Sequence, residues 1–109
     1  MESCINSNTW IVPATYSASN ATLTNGGYVM IGKICVVNMR LSINGSIPSQ
    51  TPICNLPIPK LGLDVGYSSI IVTNNKGADV MVLGDGRLYN VGQDIETISI
   101  LLDAVYVVD

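Results

Sequence analysis

Residues 80–91 read VMVLGDGRLYNV, and this stretch decides the fold. Two apolar runs, Val80–Leu83 and Leu88–Val91, flank Gly84-Asp85-Gly86-Arg87. Such runs joined by Asp-Gly read as a β-hairpin, because Asp and Gly tolerate the positive φ that a two-residue turn requires at both central positions. The first run does not alternate: Val80, Met81, Val82 and Leu83 are all apolar. A half-buried strand shows one apolar face and one wet face. This hairpin therefore needs a second dry surface against it.

The whole chain shares that excess. Its 109 residues suit a single domain with a single core. Hydrophobic residues make up 48% and charged residues 12%, about half the charged share of an average globular domain. No apolar stretch reaches the roughly 18–20 residues that cross a bilayer as a helix, so no membrane insertion is expected. An oligomer interface is the simplest sink for the remaining apolar surface.

The opening MESCINSNTW has neither the basic n-region nor the apolar h-region of a signal peptide. Cys4, Cys35 and Cys54 are odd in number and lack CxxC spacing. Cys35 and Cys54 read as small buried hydrophobes, and a reducing site of synthesis is expected. The cations Lys33, Arg40, Lys60, Lys76 and Arg87 are scattered and the net charge is −3, so no nucleic-acid partner is expected.

No window keeps a helical apolar period, and the chain reads as strands and turns. Residues 1–8 form a loose lead-in, and residues 9–109 a single β-sandwich domain. Thr9–Val12 is a short strand stopped by Pro13, and a weak strand lies around Ala21–Thr24 before a turn at Asn25-Gly26-Gly27. A long strand, Tyr28–Ile43, is interrupted by Gly32. In it Val37, Met39, Leu41 and Ile43 alternate with Asn38, Arg40, Ser42 and Asn44. Ile34 and Val36 fall in the opposite register, which predicts a bulge near Val36-Val37. Asn44–Thr51 is a loop, Pro52–Leu56 a short edge strand, and Leu56–Gly66 an irregular crossing. Tyr67–Thr73, Ala78–Leu83 and Arg87–Asn90 follow as strands, with a turn at Asn74-Asn75-Lys76-Gly77. Ile95–Val108 closes the chain, its even positions from Ile98 to Val108 uniformly apolar. Roughly seven to nine short strands with turn signals between them predict an all-β, antiparallel β-sandwich, jelly-roll-like, with no substantial helix.

One sheet packed on another dries a single face of Val80, Met81, Val82 and Leu83, and of a last strand that also carries Leu101 and Val105. A neighbouring subunit on these residues would dry the other. A thick core within one chain is the alternative, and the short, apolar chain favours the subunit.

Catalytic chemistry finds little to work with. There is no histidine, which removes Ser-His-Asp and Cys-His catalysis and most zinc sites. Asp85, Asp94 and Glu96 are close in sequence, yet Asp85 is explained by its turn and the others read as solvated loop carboxylates. Asn90, Asp94 and Glu96 fit a calcium loop poorly. No enzyme activity, metal or cofactor is expected. Saccharide binding pairs an exposed ring with polar neighbours. With no Phe present, the core must use several of the five Tyr residues. Tyr89, with Arg87 and Asn90 beside it, is the best candidate ligand site, and Trp10 is the second. Asn20-Ala21-Thr22 and Asn44-Gly45-Ser46 match the N-glycosylation pattern, which arises by chance in Asn- and Ser-rich chains.

The order Tyr28-x-x-x-Gly32-Lys33-Ile34-x-Val36-Val37, then a Gly/Ser loop, Leu56-Pro57, Gly84-Asp85-Gly86-Arg87-Leu88 and a long closing strand carrying Tyr106 resembles a known family. It is similar, over roughly residues 28–109, to the C-terminal head domains of bacteriophage and prophage tail fibres and baseplate receptor-binding proteins. After Leu56-Pro57 that family often has a Gly-aromatic-Arg-Pro run, where this chain has Ile58-Pro59-Lys60-Leu61-Gly62. The resemblance implies a homotrimer of β-sandwich heads in the virion tail, made in the bacterial cytoplasm without a signal peptide. Its task would be attachment to a saccharide or protein on a bacterial surface. A trimerisation tip without a ligand site, and a monomeric carbohydrate-binding module, are the alternatives.

Overall fold

Side-chain alternation builds the two longest ladders. The computed structural model describes residues 10–60 and 69–109. Its strands are β1 (Ala21–Ile31), β2 (Ile34–Ile43), β3 (Thr51–Asn55), β4 (Ser69–Ile71), β5 (Thr73–Asn74), β6 (Val80–Leu83), β7 (Arg87–Asn90) and β8 (Ser99–Val107). On β2 the residues Cys35, Val37, Met39, Leu41 and Ile43 are buried. On β8 the even positions Ile100, Leu102, Ala104 and Tyr106 are buried opposite them. Period two puts each set on one face, so the pair seals one side of the core.

The strands form two antiparallel four-stranded sheets. The first runs β1-β2-β8-β5 and the second β3-β7-β6-β4. Their inner faces share one hydrophobic cluster, with Ile53, Cys54, Val80, Val82 and Leu88 from the second sheet meeting the β2 and β8 residues. This is the all-β, antiparallel sandwich expected from the turn spacing. β2 pairs with β8 and β3 with β7, so early strands lie against late ones in both sheets, while β1–β2 and β6–β7 are sequential hairpins. Ser17–Ser19 forms one 3-10 turn. Among the described residues no helix is long and apolar enough to cross a membrane.

Several boundaries differ from the sequence expectation. Asn25-Gly26-Gly27 does not turn the chain. It lies inside β1 beside a bulge between Leu23 and Asn25, and the reversal falls at Gly32-Lys33, with Ile31 and Ile34 as the closing pair. A Cβ on Gly27 would overlap the Ile11 carbonyl, so this glycine lets the N-terminal segment lie against the β1 edge. There Ile11 and Tyr28 exchange backbone hydrogen bonds of 2.7 and 3.0 Å, all that forms, among the described residues, of the strand expected up to Val12. No bulge occurs near Val36-Val37, because β2 keeps one register throughout and Ile34 and Val36 point outward.

The Asp-Gly hairpin forms with a three-residue loop rather than a two-residue one. Gly86 N–H donates to Leu83 O at 2.9 Å, and Gly86 takes φ +91° while Asp85 stays at negative φ. That is a type I turn followed by a left-handed glycine, so only one position needs positive φ. The strand expected over Tyr67–Thr73 is divided. Ser69–Ile71 pairs with β6 in the second sheet, whereas Thr73–Asn74 pairs with β8 in the first. Ile95 pairs with Ile47 in an isolated bridge, and the continuous last strand starts only at Ser99. The edge strand expected over Pro52–Leu56 is β3, which lies at a sheet edge. The lead-in residues 1–8, Cys4, Thr9, Tyr67 and the later part of the Leu56–Gly66 crossing lie outside the described residues.

Cys35 and Cys54 are buried free thiols, as expected of cysteines that serve as small hydrophobes. Burial raises the pKa of both, in Cys35 against the opposing pull of its hydrogen bond with Tyr106. Burial likewise raises the pKa of Tyr106, whose hydroxyl donates to Pro57 O at 2.8 Å and ties the last strand to the crossing segment.

Candidate functional site

Three surfaces carry the residues that could act. The first is the outer face of the second sheet, where β7 alternates outward Arg87 and Tyr89 with inward Leu88 and Asn90. Pro52, Tyr89, Met81 and Ile71 are successive cross-strand neighbours and form one row across this face. The Tyr89 hydroxyl donates to Gln50 O at 3.0 Å, and the Arg87 guanidinium sits 5.1 Å from the Tyr89 ring centroid. Arg87 Nε also pairs with an Asp85 carboxylate oxygen at 2.7 Å. Slight burial of Asp85 opposes ionisation, but the hydrogen bonds and charge of Arg87 outweigh it and hold the carboxyl below its ordinary value. One face of the ring is thus occupied from within the chain.

Asn90 does not belong to this surface, which corrects its assignment as a ligand residue. Neighbours on a strand point to opposite sides, so Tyr89 and Asn90 cannot share a face. Asn90 has no exposed surface. Its Nδ2 lies 3.2, 3.0 and 2.9 Å from the carbonyls of Ile47, Pro48 and Gln93, and its Oδ1 accepts from Gly92 N–H at 3.1 Å. It fastens the 44–50 and 91–97 loops together. Trp10 is half-buried beside the Ile11–Tyr28 bridge of the first sheet, so the structure does not join it to Tyr89 in one site.

The second surface is a groove of about 440 Å³ between the turn at Lys76–Asp79 and the loop Gln93–Thr97. It gathers Asp79, Asp94, Glu96 and Lys76, residues that strand order alone does not bring together. Asp94 accepts a hydrogen bond from Ser49 N–H at 2.8 Å, which fixes one wall. Gly92 lets Asp79 approach the other loop, since a Cβ there would lie 2.7 Å from the Asp79 carboxylate. All three carboxylates are exposed, and no three metal-ligating groups converge among the described residues. Such a groove can accept hydroxyls or an amine of a polar ligand.

The third surface is the outer face of the first sheet. Cross-strand pairs Ile34–Val107 and Val36–Val105 point outward, and Ile31 and Val29 extend the same face as ladder partners of Ile34 and Val36. Val105 is 67% exposed, and Ile31, Ile34, Leu101 and Val107 are also exposed. The other half of the face is polar, where Asn38 Nδ2 donates to Asp103 at 2.6 Å and Arg40 stands next to Leu101. Leu101 and Val105, expected at an interface, are therefore free apolar surface in the single chain. Val80 and Val82 are not: both are in the core, and only Met81 and Leu83 face outward. Of the four residues expected at an interface, Val80 and Val82 are thus taken by the sandwich core, and only Met81 and Leu83 remain at the surface.

Comparison with protein-family models, with curated proteins and with solved structures found no match.

Proposed function

We propose that this chain is a non-enzymatic head domain that works as an assembly of copies in a phage or prophage tail appendage, attaching to a saccharide or protein on a bacterial surface. The apolar half of the outer face of the first sheet carries the reading. Ile31, Ile34, Val105 and Val107 stand exposed on a regular sheet that already has its sandwich partner on the other side. Exposed aliphatic side chains clustered on one face mark protein–protein contact, and each gains about 1 kcal/mol when its free half is covered. Attachment is assigned to the loop-end groove rather than to Tyr89, because Arg87 occupies that ring's face. The same occupied ring also favours, as a second reading, an assembly tip with no ligand site of its own.

Light scattering behind a sizing column tests the assembly. The monomer mass is 11.6 kDa. A trimeric mass is expected, with Val105→Asp giving a folded monomer by circular dichroism. A wild-type monomer would overturn the assembly reading. Saccharide screening with the Glu96→Gln variant as control then separates a ligand-binding head from an assembly tip.

A further inference from the structure

The chain holds two Asn-Gly pairs, Asn25-Gly26 and Asn44-Gly45, in opposite surroundings. Asparagine is chemically labile when the next amide nitrogen can reach its side-chain carbonyl carbon, and glycine obstructs that approach least. We propose that Asn44-Gly45 is a site of spontaneous modification, at which the Gly45 nitrogen closes on the Asn44 side chain while Asn25-Gly26 is protected by its ladder. The Gly45 nitrogen gives up its proton to solvent base and bonds to Asn44 Cγ. The side-chain nitrogen then leaves as ammonia, and a succinimide remains. Water opens either imide carbonyl, leaving aspartate or isoaspartate.

The structure separates the two pairs by the backbone around each glycine. Asn44 and Gly45 are both exposed and lie beyond the end of β2, outside any ladder. Gly45 adopts φ +88° with open space where a Cβ would stand, and its N–H has no partner among the described residues. The Asn44 side chain is free of hydrogen bonds among the described residues and can rotate toward the nitrogen; that of Asn25 is free as well, so the backbone makes the difference. By contrast, Asn25 and Gly26 are in register with Arg40 and Met39, and the Gly26 backbone presses on the Asn38 carbonyl so closely that a Cβ would overlap it. Cyclisation there requires the β1–β2 ladder to open first.

Modification at Asn44 has a structural consequence. Asn44 N–H donates to Asn20 O at 2.8 Å, and three residues on, Ile47 exchanges two backbone bonds of 3.0 and 2.9 Å with Ile95. Isoaspartate inserts an extra methylene into the main chain between these anchors, and either product adds a negative charge. Ile95 lines the loop-end groove, so the change is felt in its wall.

The test is incubation of the folded chain in mildly alkaline buffer, followed by peptide mapping with mass spectrometry and isomer separation. Asn44 should convert about tenfold faster than Asn25, a barrier difference of about 1.4 kcal/mol. In concentrated urea the two should convert at similar rates, and Asn44→Gln should abolish the product at position 44 without altering the Gly45 backbone. Equal rates at 25 and 44 in the folded chain would overturn the proposal. So would an unmodified Asn44 under conditions where the urea-treated chain reacts.

Discussion

Replacing Asn90 by leucine tests the assignment of this residue to the fold rather than to a ligand. Leucine keeps the branched shape and the number of heavy atoms, so the lost hydrogen bonds are the main effect, and the bulkier methyl groups can only add to the loss. Asn90 Nδ2 has two hydrogens and three carbonyls within reach, so it makes two good bonds at a time, and Oδ1 accepts a third from Gly92. Three buried bonds at about 1 kcal/mol each give a loss of about 3 kcal/mol. For a chain of 109 residues that lowers Tm by about 13 °C. Urea unfolding followed by circular dichroism measures it, with the slope unchanged if only the native state is affected. Asn90→Asp sharpens the test. A buried carboxylate facing three carbonyls has its pKa raised above the ordinary value of about 3.9. The folded variant then holds its proton more tightly than the unfolded chain. Its deficit against wild type is smallest below about pH 4 and grows as pH rises through the elevated folded value. A loss under about 1 kcal/mol for Asn90→Leu, or a pH-independent deficit for Asn90→Asp, would refute the role assigned to the Asn90 amide.

The remaining predictions concern the β6 register and the buried thiol. Val82→Ser should cost more than about 3 kcal/mol in urea unfolding, whereas Met81→Ser should cost under about 1 kcal/mol and leave the chain folded, because only Val82 is in the core. Burial pushes the Cys54 thiol up to about 12 from an ordinary 9.0. The folded state therefore keeps a proton that the unfolded chain loses above pH 9.0, and this contribution, full at lower pH, is lost as pH rises toward 12. Alkylation of Cys54 by iodoacetamide near pH 9 should be slow in the folded chain and fast in urea.

Strand identity was readable wherever one face of a strand is polar. Alternation on β2, from Val37 to Ile43, placed its core residues correctly, and the even positions of β8 did the same. The Gly84-Asp85-Gly86 hairpin was legible from its turn residues, though not its loop type, since a type I turn and a primed turn accept the same sequence. The β1–β2 reversal leaves a trace in the sequence. Inward residues are even-numbered at Tyr28 and Met30 and odd-numbered from Cys35 onward, the shift in parity that a two-residue hairpin imposes. The groove was beyond reach, since Asp79 joins Asp94 and Glu96 only through the pairing of β6 with β7.

By itself, then, the amino-acid order determined an all-β chain, its main turns and the inward faces of its amphipathic strands, because period two is a local property of the backbone. Tertiary structure alone decided three further points. It chose Val80 and Val82 over Met81 and Leu83, moved the chain from one sheet to the other at Val72, and left Ile34, Val36, Val105 and Val107 on an outer face. A run that is apolar on both sides contains no phase. Which side meets the core is settled only when long-range strand pairing brings the second sheet against it.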